Sequence, residues 1–461
     1  MQEFVHGLQR FVWGPGMLVF FLAAGIRFTL QSRFFQLRKL PFWLKSTLGS
    51  LKKQEESERR EEHSISQFQS FCTALAATLG TGNITGVATA LMFGGPGAIF
   101  WLWVSSFFGM MTSYAENFLG IKYRYRDEKG RWKGGAMVYM ERGLQCRPLA
   151  VVFAVCCLGA SFGMGNMVQG NSMAQGLWEA FHIPPFVSGC ICMVLVAVAL
   201  TGGVKRIAAF TEKLVPLMAA AYLGGALVVL FVYRERIPEA FRLIVTEAFR
   251  VQAAAGGIAG YGMGQAVRMG IARGIFSNEA GLGTLAVLHG PAEDTTPHEQ
   301  GMWAMFEVFF DTVVLCTLTA LVILCMTGPA LDAAPYEGAA LAAWCFSGRL
   351  GIAGEYLVSG SMVVFAFATI MAWFYLGRQA AAYFIRGTGL GERAGTWFAA
   401  RIYPVLFLGA VFLGSEARLD VVWMLSDIWN GLMAFPNLTA LLFLYKEVTL
   451  PEGFRTGKTR G

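Results

Sequence analysis

The sequence contains few charged residues for its length. Asp, Glu, Lys and Arg make up 15% of its 461 residues, against about 25% in an ordinary soluble domain. Hydrophobic residues make up 55%, more than a soluble core hides behind so few charges. This balance excludes a soluble enzyme, a disordered chain and a nucleic-acid-binding protein. The sequence therefore predicts an all-α integral membrane protein that crosses the bilayer many times.

Residues that bind metals or act as catalytic bases are also sparse. The nine cysteines form no CxxC pair, which argues against a zinc site and against a disulfide framework. The five histidines fall in loops or at the ends of apolar segments. We therefore expect no haem or metal centre inside the membrane, no cofactor and no enzymatic activity.

Long apolar runs, in contrast, are abundant. A membrane span needs roughly 20 apolar residues, and we interpret the first candidate as a retained span because Glu3 and a single Arg10 make a poor signal-peptide start. Eleven candidate spans are present, at 11–30, 68–93, 98–120, 149–180, 186–202, 214–233, 262–288, 303–328, 356–377, 397–414 and 420–445.

The basic residues indicate how these spans are oriented. Of the 37 Lys and Arg residues, 27 fall in loops on one side of the eleven spans or in the C-terminal tail. Because cytoplasmic loops carry the excess of Lys and Arg, the N-terminus is expected outside and the C-terminus in the cytoplasm. The mixed-charge stretches 51–63 and 234–250 are expected to be solvated surface helices.

Two of the spans have sequences that are unsuited to a continuous helix. The segment 76–86 reads AATLGTGNITG, and the segment 274–283 reads GIFSNEAGLG. Glycine, threonine and asparagine are poor helix formers, and close packing by small residues would not explain Asn83, Asn278 and Glu279 at membrane depth. Interrupted spans at matching places in two halves are typical of transporters built from inverted repeats.

This symmetry divides the chain into four parts. Each interrupted span opens a run of five spans, which predicts a first repeat at 65–235 and a second, inverted repeat at 236–446. Residues 1–64 then form an extra N-terminal span with a connecting helix, and 447–461 form a cytoplasmic tail.

Helix ends at such breaks provide the chemistry of a binding site. Backbone N–H groups at Thr81 and Gly82 are expected to bind a carboxylate, because the N-terminus of a helix attracts anions. Carbonyl groups around Ile275–Ser277 are expected to bind an ammonium group, and a sodium ion takes oxygens from the same turns. Such a site suits a zwitterion with a small side chain.

Five stretches of the sequence carry a resemblance to a known family. Matches run in order from about residue 65 to 445, at 66–104, 165–172 (GNMVQGNS), 202–216 (GGVKRIAAFTEKLVP), 272–283 (ARGIFSNEAGLG) and 433–441 (MAFPNLTAL). In these stretches the chain resembles the alanine/glycine:cation symporters, or sodium:alanine symporters, of the amino acid–polyamine–organocation superfamily. The resemblance implies a leucine-transporter-like fold of two inverted five-helix repeats, here preceded by one extra span.

The resemblance also implies a function and a set of site residues. The function is uptake of alanine or glycine, driven by sodium or protons, with sodium as the coupling ion. The sodium site would use backbone oxygens of Ala76 and Leu79 with the hydroxyl group of Thr369. The substrate would be bound by Thr81, Gly82, Gln169, Phe276, Ser277, Asn278, Thr369 and Trp373.

Several charged residues at membrane depth have roles that remain open. Arg273 is either part of an outer gate or one half of a structural ion pair, and Glu279 either tunes the site or ties two half-helices together. The remaining carboxylates either bind a coupling proton or lock helices to one another; they are Glu116, Glu307, Asp311 and Asp427. The competing functions are a proton-coupled or exchange permease and, less in keeping with the residues, a channel or a membrane-embedded enzyme.

Overall fold

A computed structural model describes residues 2–50, 65–128, 130–250, 261–328, 331 and 334–452. The connecting helix predicted at 51–63 lies outside the described residues. Almost all of the described chain is helical, which confirms the predicted all-α class.

In residues 2–50 and 65–122, the structure has seven helices and two single 3-10 turns. The 3-10 turns are Leu48–Ser50 and Thr81–Asn83. The helices are α1 (Gln2–Val12), α2 (Pro15–Gln31), α3 (Phe35–Arg38), α4 (Leu40–Thr47), α5 (Gln67–Thr78), α6 (Thr85–Gly94) and α7 (Gly97–Lys122). The sequence GGPG at 94–97 forms the turn between α6 and α7.

A two-stranded antiparallel hairpin and six helices follow. Strands β1 (Tyr125–Arg126) and β2 (Trp132–Lys133) pair with Tyr125 opposite Lys133. We call the end of the helical bundle that carries this hairpin the basic side. The helices are α8 (Ala136–Val138), α9 (Arg147–Phe162), α10 (Val168–Phe181), α11 (Pro185–Leu200), α12 (Gly203–Val232) and α13 (Ile237–Glu247), with π-helical turns at Tyr139–Gly143 and Gly163–Met167 and a 3-10 turn at Arg234–Arg236.

The remaining described chain contains eight helices. The shorter turns are π-helical at Phe309–Cys316 and Arg386–Leu390 and 3-10 at Tyr445–Glu447. The helices are α14 (Tyr261–Asn278), α15 (Thr284–His289), α16 (Pro297–Val308), α17 (Thr317–Thr327), α18 (Gly338–Leu350), α19 (Ile352–Ile385), α20 (Gly391–Glu416) and α21 (Leu419–Phe443).

Several of these helical segments are long and apolar enough to cross a membrane. Of the described residues, six continuous segments meet this requirement: Gly7–Gln31, Gly97–Lys122, Arg147–Phe181, Lys205–Val232, Pro297–Thr327 and Ile352–Glu416. A bent pair of helices, Gln67–Thr78 and Thr81–Gly94, makes a seventh candidate with an angle of 54°. The chain is therefore a multi-pass membrane protein, and the predicted total of eleven spans stays a prediction.

Two features of the fold differ from the sequence-based expectation. Helix α18 lies between two predicted spans and was not expected, because its 13 residues are too few for a span and its sequence has no clear start signal. The segment Ile352–Glu416 covers two predicted spans, which are separated where Gly389 has a φ of 90°. The surface helix expected in 234–250 is confirmed as α13, where the side chains of Glu239 and Arg242 are exposed.

Helix α7 supports both halves of the second interrupted span. Ser105 of α7 lies against Gly274 of α14, Gly109 lies against Ala280, and Gly120 lies against Ala286 of α15. Small residues permit this close approach of helices within a membrane. The break between α14 and α15 is thereby fixed against a rigid neighbour.

Candidate substrate and ion site

The first interrupted span is broken at 79–84, as the sequence predicts. Helix α5 ends at Thr78, a single 3-10 turn covers Thr81–Asn83, and α6 begins at Thr85. The side-chain oxygen of Asn83 accepts a hydrogen bond from the N–H group of Gly80 at 3.1 Å. The Asn83 side chain thus satisfies the backbone locally, and the turn stays unwound without contact with water.

This first break leaves polar groups without partners. The N–H groups of Thr81 and Gly82 donate to no other group of the described chain. The hydroxyl oxygen of Thr81 is buried and also has no hydrogen-bond partner. Buried polar groups without partners are rare in proteins, so these donors are available to an anionic group such as a carboxylate.

The second interrupted span is broken at 279–283. Glu279, Gly281 and Gly283 adopt left-handed backbone conformations, with φ of 55°, 86° and 78°. The predicted interval 274–283 contains this break, but the helix continues as far as Asn278. The carbonyl group of Ile275, which was expected to bind an ammonium group, accepts a hydrogen bond from Glu279 N at 2.9 Å and is not free. Gly274 lies inside α14 and packs against Ser105.

The two breaks approach each other closely. A Cβ atom placed on Gly82 would lie 3.2 Å from the Cα atom of Ser277 and 3.3 Å from its hydroxyl oxygen. Thr81, Gly82 and Ser277 are all almost fully buried. Glycine at this position therefore permits the contact between the two broken spans, and three predicted site residues lie at one place.

Oxygen atoms also converge at the basic-side end of the first break. The hydroxyl oxygen of Thr369 in α19 lies 2.9 Å from the carbonyl oxygen of Ala76 and 3.5 Å from that of Leu79. It also lies 2.9 Å from the carbonyl oxygen of Phe365. Neutral oxygen ligands from an unwound helix suit a sodium ion, so these residues form a donor set of the right kind.

Gln169 lies beside the same break. Its side-chain amide donates to the carbonyl oxygen of Met164 at 3.1 Å, in the π-helical turn that precedes α10. The amide oxygen of Gln169 is buried without a partner, and it lies on the side of Gly80. π-helical turns are frequent at functional sites because they redirect side chains, and this one directs Gln169 toward the first break.

One residue whose importance the sequence left open connects the two breaks. The Asp311 carboxylate accepts hydrogen bonds from Asn83 at 2.6 Å and from Ser277 at 3.1 Å. It also accepts one from Thr312 at 2.8 Å. Asp311 thus joins both interrupted spans, which supports the helix-locking interpretation. Its only sequence signal is a single carboxylate in the apolar run FFDTVVLC.

Asn278 and Trp373 are occupied by contacts within the protein. The Asn278 amide donates to Thr312 at 3.0 Å, and its oxygen accepts from Ala280 N at 3.0 Å. The Trp373 ring N–H donates to Glu279 at 2.9 Å. Glu279 therefore ties α19 to the second break, and the substrate contacts predicted for Asn278 and Trp373 stay predictions.

Phe276 and Arg273 lie on the side of the site opposite the basic side. Phe276 stacks on Trp423 of α21 with ring centroids 4.7 Å apart. Arg273 forms an ion pair with Asp427 at 3.2 Å, and its guanidinium group lies over Trp423. The carboxylate partner that the sequence left unnamed for Arg273 is thus Asp427, and together these residues cover that side of the site.

A buried hydrogen-bond network formed by Glu116 and Asn437 also holds the second break. Glu116 of α7 accepts hydrogen bonds from Gly283 N at 2.9 Å and from the Asn437 amide of α21 at 2.5 Å. The same amide donates to the carbonyl oxygen of Gly281 at 2.9 Å, and Tyr139 donates to the Asn437 side chain. Glu116 therefore locks helices, in keeping with one of its two expected roles.

The hairpin closes the basic side over these elements. Trp132 donates to Glu293 at 3.0 Å, and Lys133 donates to Gln379 of α19 at 2.7 Å. Burial, together with the nearby positive charge of Arg131, lowers the pKa of Lys133 to about 8. The hairpin thus joins the loop after α15 to α19.

Comparison with known proteins shows to which group the chain belongs. The model of the sodium:alanine symporter family matches residues 1–451. The chain belongs to this family. Members of this family are transporters, so the protein is a membrane transporter for amino acids and not an enzyme.

Individual relatives agree with this assignment. The chain is 41% identical over 448 residues to the sodium/alanine symporter AgcS of Methanococcus maripaludis, covering 95% of this chain and 94% of the relative. It is 34% identical over 462 residues to a putative sodium/proton-dependent alanine carrier protein, YrbD of Bacillus subtilis, covering 98% and 91%. The family thus supports sodium as a coupling ion.

A solved structure supports the fold. The chain is similar to a Na⁺-coupled sialic acid symporter in its substrate-bound outward-open state, with a TM-score of 0.54 and 12% identity. The match covers 89% of this chain and 82% of that chain. The predicted leucine-transporter-like fold is therefore confirmed.

Proposed function

We propose that the protein takes up alanine or glycine together with sodium by alternating access around the contact between the two breaks. The observation that carries this proposal is the set of unpartnered donors at Thr81 and Gly82, which faces Ser277 of the other break. A zwitterion needs donors for its carboxylate and acceptors for its ammonium group in one small space. At the contact between the two breaks, the groups proposed to bind the zwitterion are backbone N–H groups and neutral side chains.

The proposed substrate contacts follow the chemistry of the site. The carboxylate binds the N–H groups of Thr81 and Gly82, since a helix N-terminus attracts negative charge. The oxygen of Gln169 accepts from the substrate ammonium group, and Ser277 lies opposite. The close approach of Gly82 to Ser277 favours side chains no larger than a methyl group, because extra methylenes overpack a tight site. Phe276, Asn278, Thr369 and Trp373 complete the proposed pocket.

The proposed sodium site uses the carbonyl oxygens of Ala76 and Leu79 with the Thr369 hydroxyl group. A sodium ion here bridges α5 to α19, so binding favours one arrangement of the first interrupted span. The electrochemical gradient of sodium is sufficient to drive uptake, because one positive charge that moves through a membrane potential of 100 mV releases about 2.3 kcal/mol. Each tenfold sodium gradient adds about 1.4 kcal/mol.

We further propose that the chain crosses the inner membrane of a prokaryote eleven times with the N-terminus outside. The basic side is then cytoplasmic, in line with the 27 of 37 Lys and Arg residues assigned to it from the sequence. The repeats are the ones expected at 65–235 and 236–446. Labelling of single cysteines introduced near Arg10 and Lys133 with a membrane-impermeant reagent tests this arrangement: only the first is expected to react in intact cells.

Alanine uptake by proteoliposomes tests the function itself. With purified protein, radiolabelled alanine is expected to accumulate when sodium is high outside, and to exchange without accumulation when no gradient is imposed. Accumulation that does not depend on sodium and follows a pH gradient would instead establish proton coupling, the second candidate; the relative YrbD is described as a putative sodium/proton-dependent carrier. Ohmic current without accumulation would point to a channel.

A further inference from the structure

We propose that His289 and Glu307 form a buried site for a single proton on the basic side, and that this proton stabilises the closed conformation of that side. The inference rests on the proposed symport, because it concerns the path that must open for substrate to leave. His289 ends α15, the second half of the second interrupted span, and Glu307 lies in α16. Both side chains are completely buried.

The hydrogen bonds around His289 define where its protons lie. The amide nitrogen of Gln300 donates to the Thr295 hydroxyl oxygen at 3.0 Å, so the amide oxygen of Gln300 is the atom that contacts Nδ1 of His289. An amide oxygen only accepts hydrogen bonds. Nδ1 therefore carries a hydrogen in this arrangement.

The other ring nitrogen then determines the proton count. Nε2 of His289 lies 2.8 Å from Oε1 of Glu307, and this contact is a hydrogen bond only with one proton between the two atoms. The shared proton lies either on His289, as an imidazolium beside a carboxylate, or on Glu307, as a carboxylic acid beside a neutral imidazole. Both arrangements contain the same number of protons, so the pair titrates as one unit that binds one proton more than a neutral imidazole with a carboxylate. Removing it would leave two lone pairs facing each other without water.

Neighbouring groups do not replace this proton. Oε2 of Glu307 is buried and accepts no hydrogen bond from the described residues that could stabilise a carboxylate without the shared proton. Lys45, on the neighbouring helix α4, is exposed at the protein surface. The other titratable residues on the elements packed against α15 and α16 are Cys72, Tyr114, Glu116, Lys122, Asp311, Cys316, Glu355, Tyr356, Tyr375, Arg378 and Tyr383. Of the acidic groups among them in the protein interior, Glu116 accepts from Gly283 N and Asp311 from Asn83 and Ser277, and Tyr114 donates to the carbonyl oxygen of Thr449.

The pair lies where the closed basic side is joined together. The carbonyl group of Leu288, next to His289, accepts from the Ser70 hydroxyl group of α5 at 3.0 Å. Just beyond, Arg124 donates to the carbonyl groups of Gly290 and Ala292, and Glu293 N donates to the carbonyl oxygen of Ile65 at 3.0 Å. Lone-pair repulsion at His289 therefore acts on the turn that connects both interrupted spans.

The same helix connects this pair to the site. Glu307 and Asp311 are four residues apart, near the junction of α16 with the π-helical turn that follows it, and residues at this spacing lie on one face of a helix. Asp311 binds both breaks. A shift of α16 that accompanies loss of the proton thus also reaches Asn83 and Ser277.

Hydrogen exchange measured by mass spectrometry at several pH values tests the inference on purified protein without substrate. Because the closed state binds the proton more tightly than the open state, the closed state is favoured at low pH and lost as the pH rises. After correction for intrinsic exchange, amides in 286–294 are expected to exchange about tenfold faster at pH 9 than at pH 6, because a proton that is bound more tightly in the closed state links local opening to pH. Amides in α9 serve as an internal reference.

Two variants separate a proton site from a structural pair. Glu307→Gln places an amide donor opposite Nε2 and satisfies the ring without a proton, so its exchange in 286–294 is expected to vary by less than about twofold over this pH range. His298→Gln, a histidine substitution on the same helix, is the matched control and is expected to keep the wild-type pH profile.

The outcomes that overturn the inference are distinct from failure of the proposed function. A wild-type profile that is flat in pH, or a Glu307→Gln profile as steep as wild type, refutes the proton site even if alanine uptake depends on sodium as proposed. If Glu307→Gln does not fold, the wild-type and His298→Gln profiles alone decide, because a flat profile in either refutes the site. Absence of alanine uptake with a steep wild-type profile refutes only the transport proposal.

Discussion

The two interrupted spans are held open by different means. The first break, between α5 and α6, contains no charged residue, and Asn83 from the turn itself caps its backbone. The second break contains Glu279 in a left-handed conformation, and side chains from three other helices hold it: Trp373, Glu116 and Asn437. Sequence symmetry suggested equivalent halves, but their stabilisation is not equivalent.

This difference assigns the breaks different roles. In the second break, the N–H groups of Ala280, Leu282 and Gly283 and the carbonyl group of Gly281 all have partners within the protein. In the first break, the N–H groups of Thr81 and Gly82 have none among the described residues. We infer that the first break supplies the backbone groups that bind ligands. The second break is a rigid segment that keeps its internal contacts and moves together with the helices that hold it.

The largest expected effect is a loss of stability on substituting Gly283 in the second break. Gly283 has a φ of 78°, and an added Cβ atom would lie 2.9 Å from the Cβ atom of Ala136 and from the side-chain oxygen of Asn437. In Gly283→Ala, left-handed backbone costs about 1–2 kcal/mol and overpacking a further 1–3 kcal/mol. We expect a lower melting temperature in detergent and little folded protein in the membrane.

The matched control lies in the first interrupted span. An added Cβ atom on Gly86 meets nothing within 4 Å, and alanine is favoured over glycine in a helix by up to about 1 kcal/mol. Gly86→Ala is therefore expected to leave the melting temperature unchanged or slightly higher. Equal destabilisation by both substitutions would contradict the distinction between a fixed break and an adaptable one.

These differences also mark the limit of what the sequence predicts. Helix-breaking residues in two apolar runs identify both interruptions, because composition alone makes a continuous helix unfavourable there. The predicted interval 274–283 contains the second break, but the sequence does not show that α14 continues to Asn278, because the left-handed conformation of Glu279 depends on contacts with Trp373 and α7, which are far away in sequence. Likewise, the apolar run FFDTVVLC predicts that Asp311 is buried, but only the packing of the π-helical turn Phe309–Cys316 against Thr81–Asn83 and α14 reveals its partners.

The second largest effect is expected for Thr369 at the first break. Thr369→Val removes the hydroxyl oxygen near Ala76 and Leu79 and preserves the shape of the side chain. Loss of one buried polar ligand costs about 1–3 kcal/mol, so the sodium concentration for half-maximal alanine uptake is expected to rise about 10- to 100-fold. Thr369→Ser, which keeps the hydroxyl group, is the control. Unchanged sodium dependence in Thr369→Val would exclude this ion site.

A smaller effect is expected for Trp373 at the second break. Trp373→Phe removes the N–H group that donates to Glu279 and keeps an aromatic ring against Gly165. A net loss of about 1 kcal/mol corresponds to an approximately fivefold lower alanine turnover at saturating sodium. The sodium dependence is expected to remain as in wild type, since Thr369 is unchanged. A shift in sodium dependence as large as that of Thr369→Val would show that the two breaks do not act separately.

The smallest effect is expected for the ion pair on the side opposite the hairpin. Asp427 accepts from Arg273 at 3.2 Å and from Gln9 of α1 at 2.9 Å, and both partners of the pair retain some exposure. In Asp427→Asn, the side-chain oxygen still accepts from Gln9 while the charge is lost. Because the amide oxygen of Asn keeps a hydrogen-bond acceptor opposite Arg273, the net loss is expected to be about 0.5 kcal/mol, and alanine turnover is expected to change by about two- to threefold. Asp427→Ala, which loses both contacts, is expected to change it more. Equal effects of Asp427→Asn and Asp427→Ala on alanine turnover would show that the charge of Asp427 holds this side of the site closed, and that the hydrogen bond from Gln9 does not contribute.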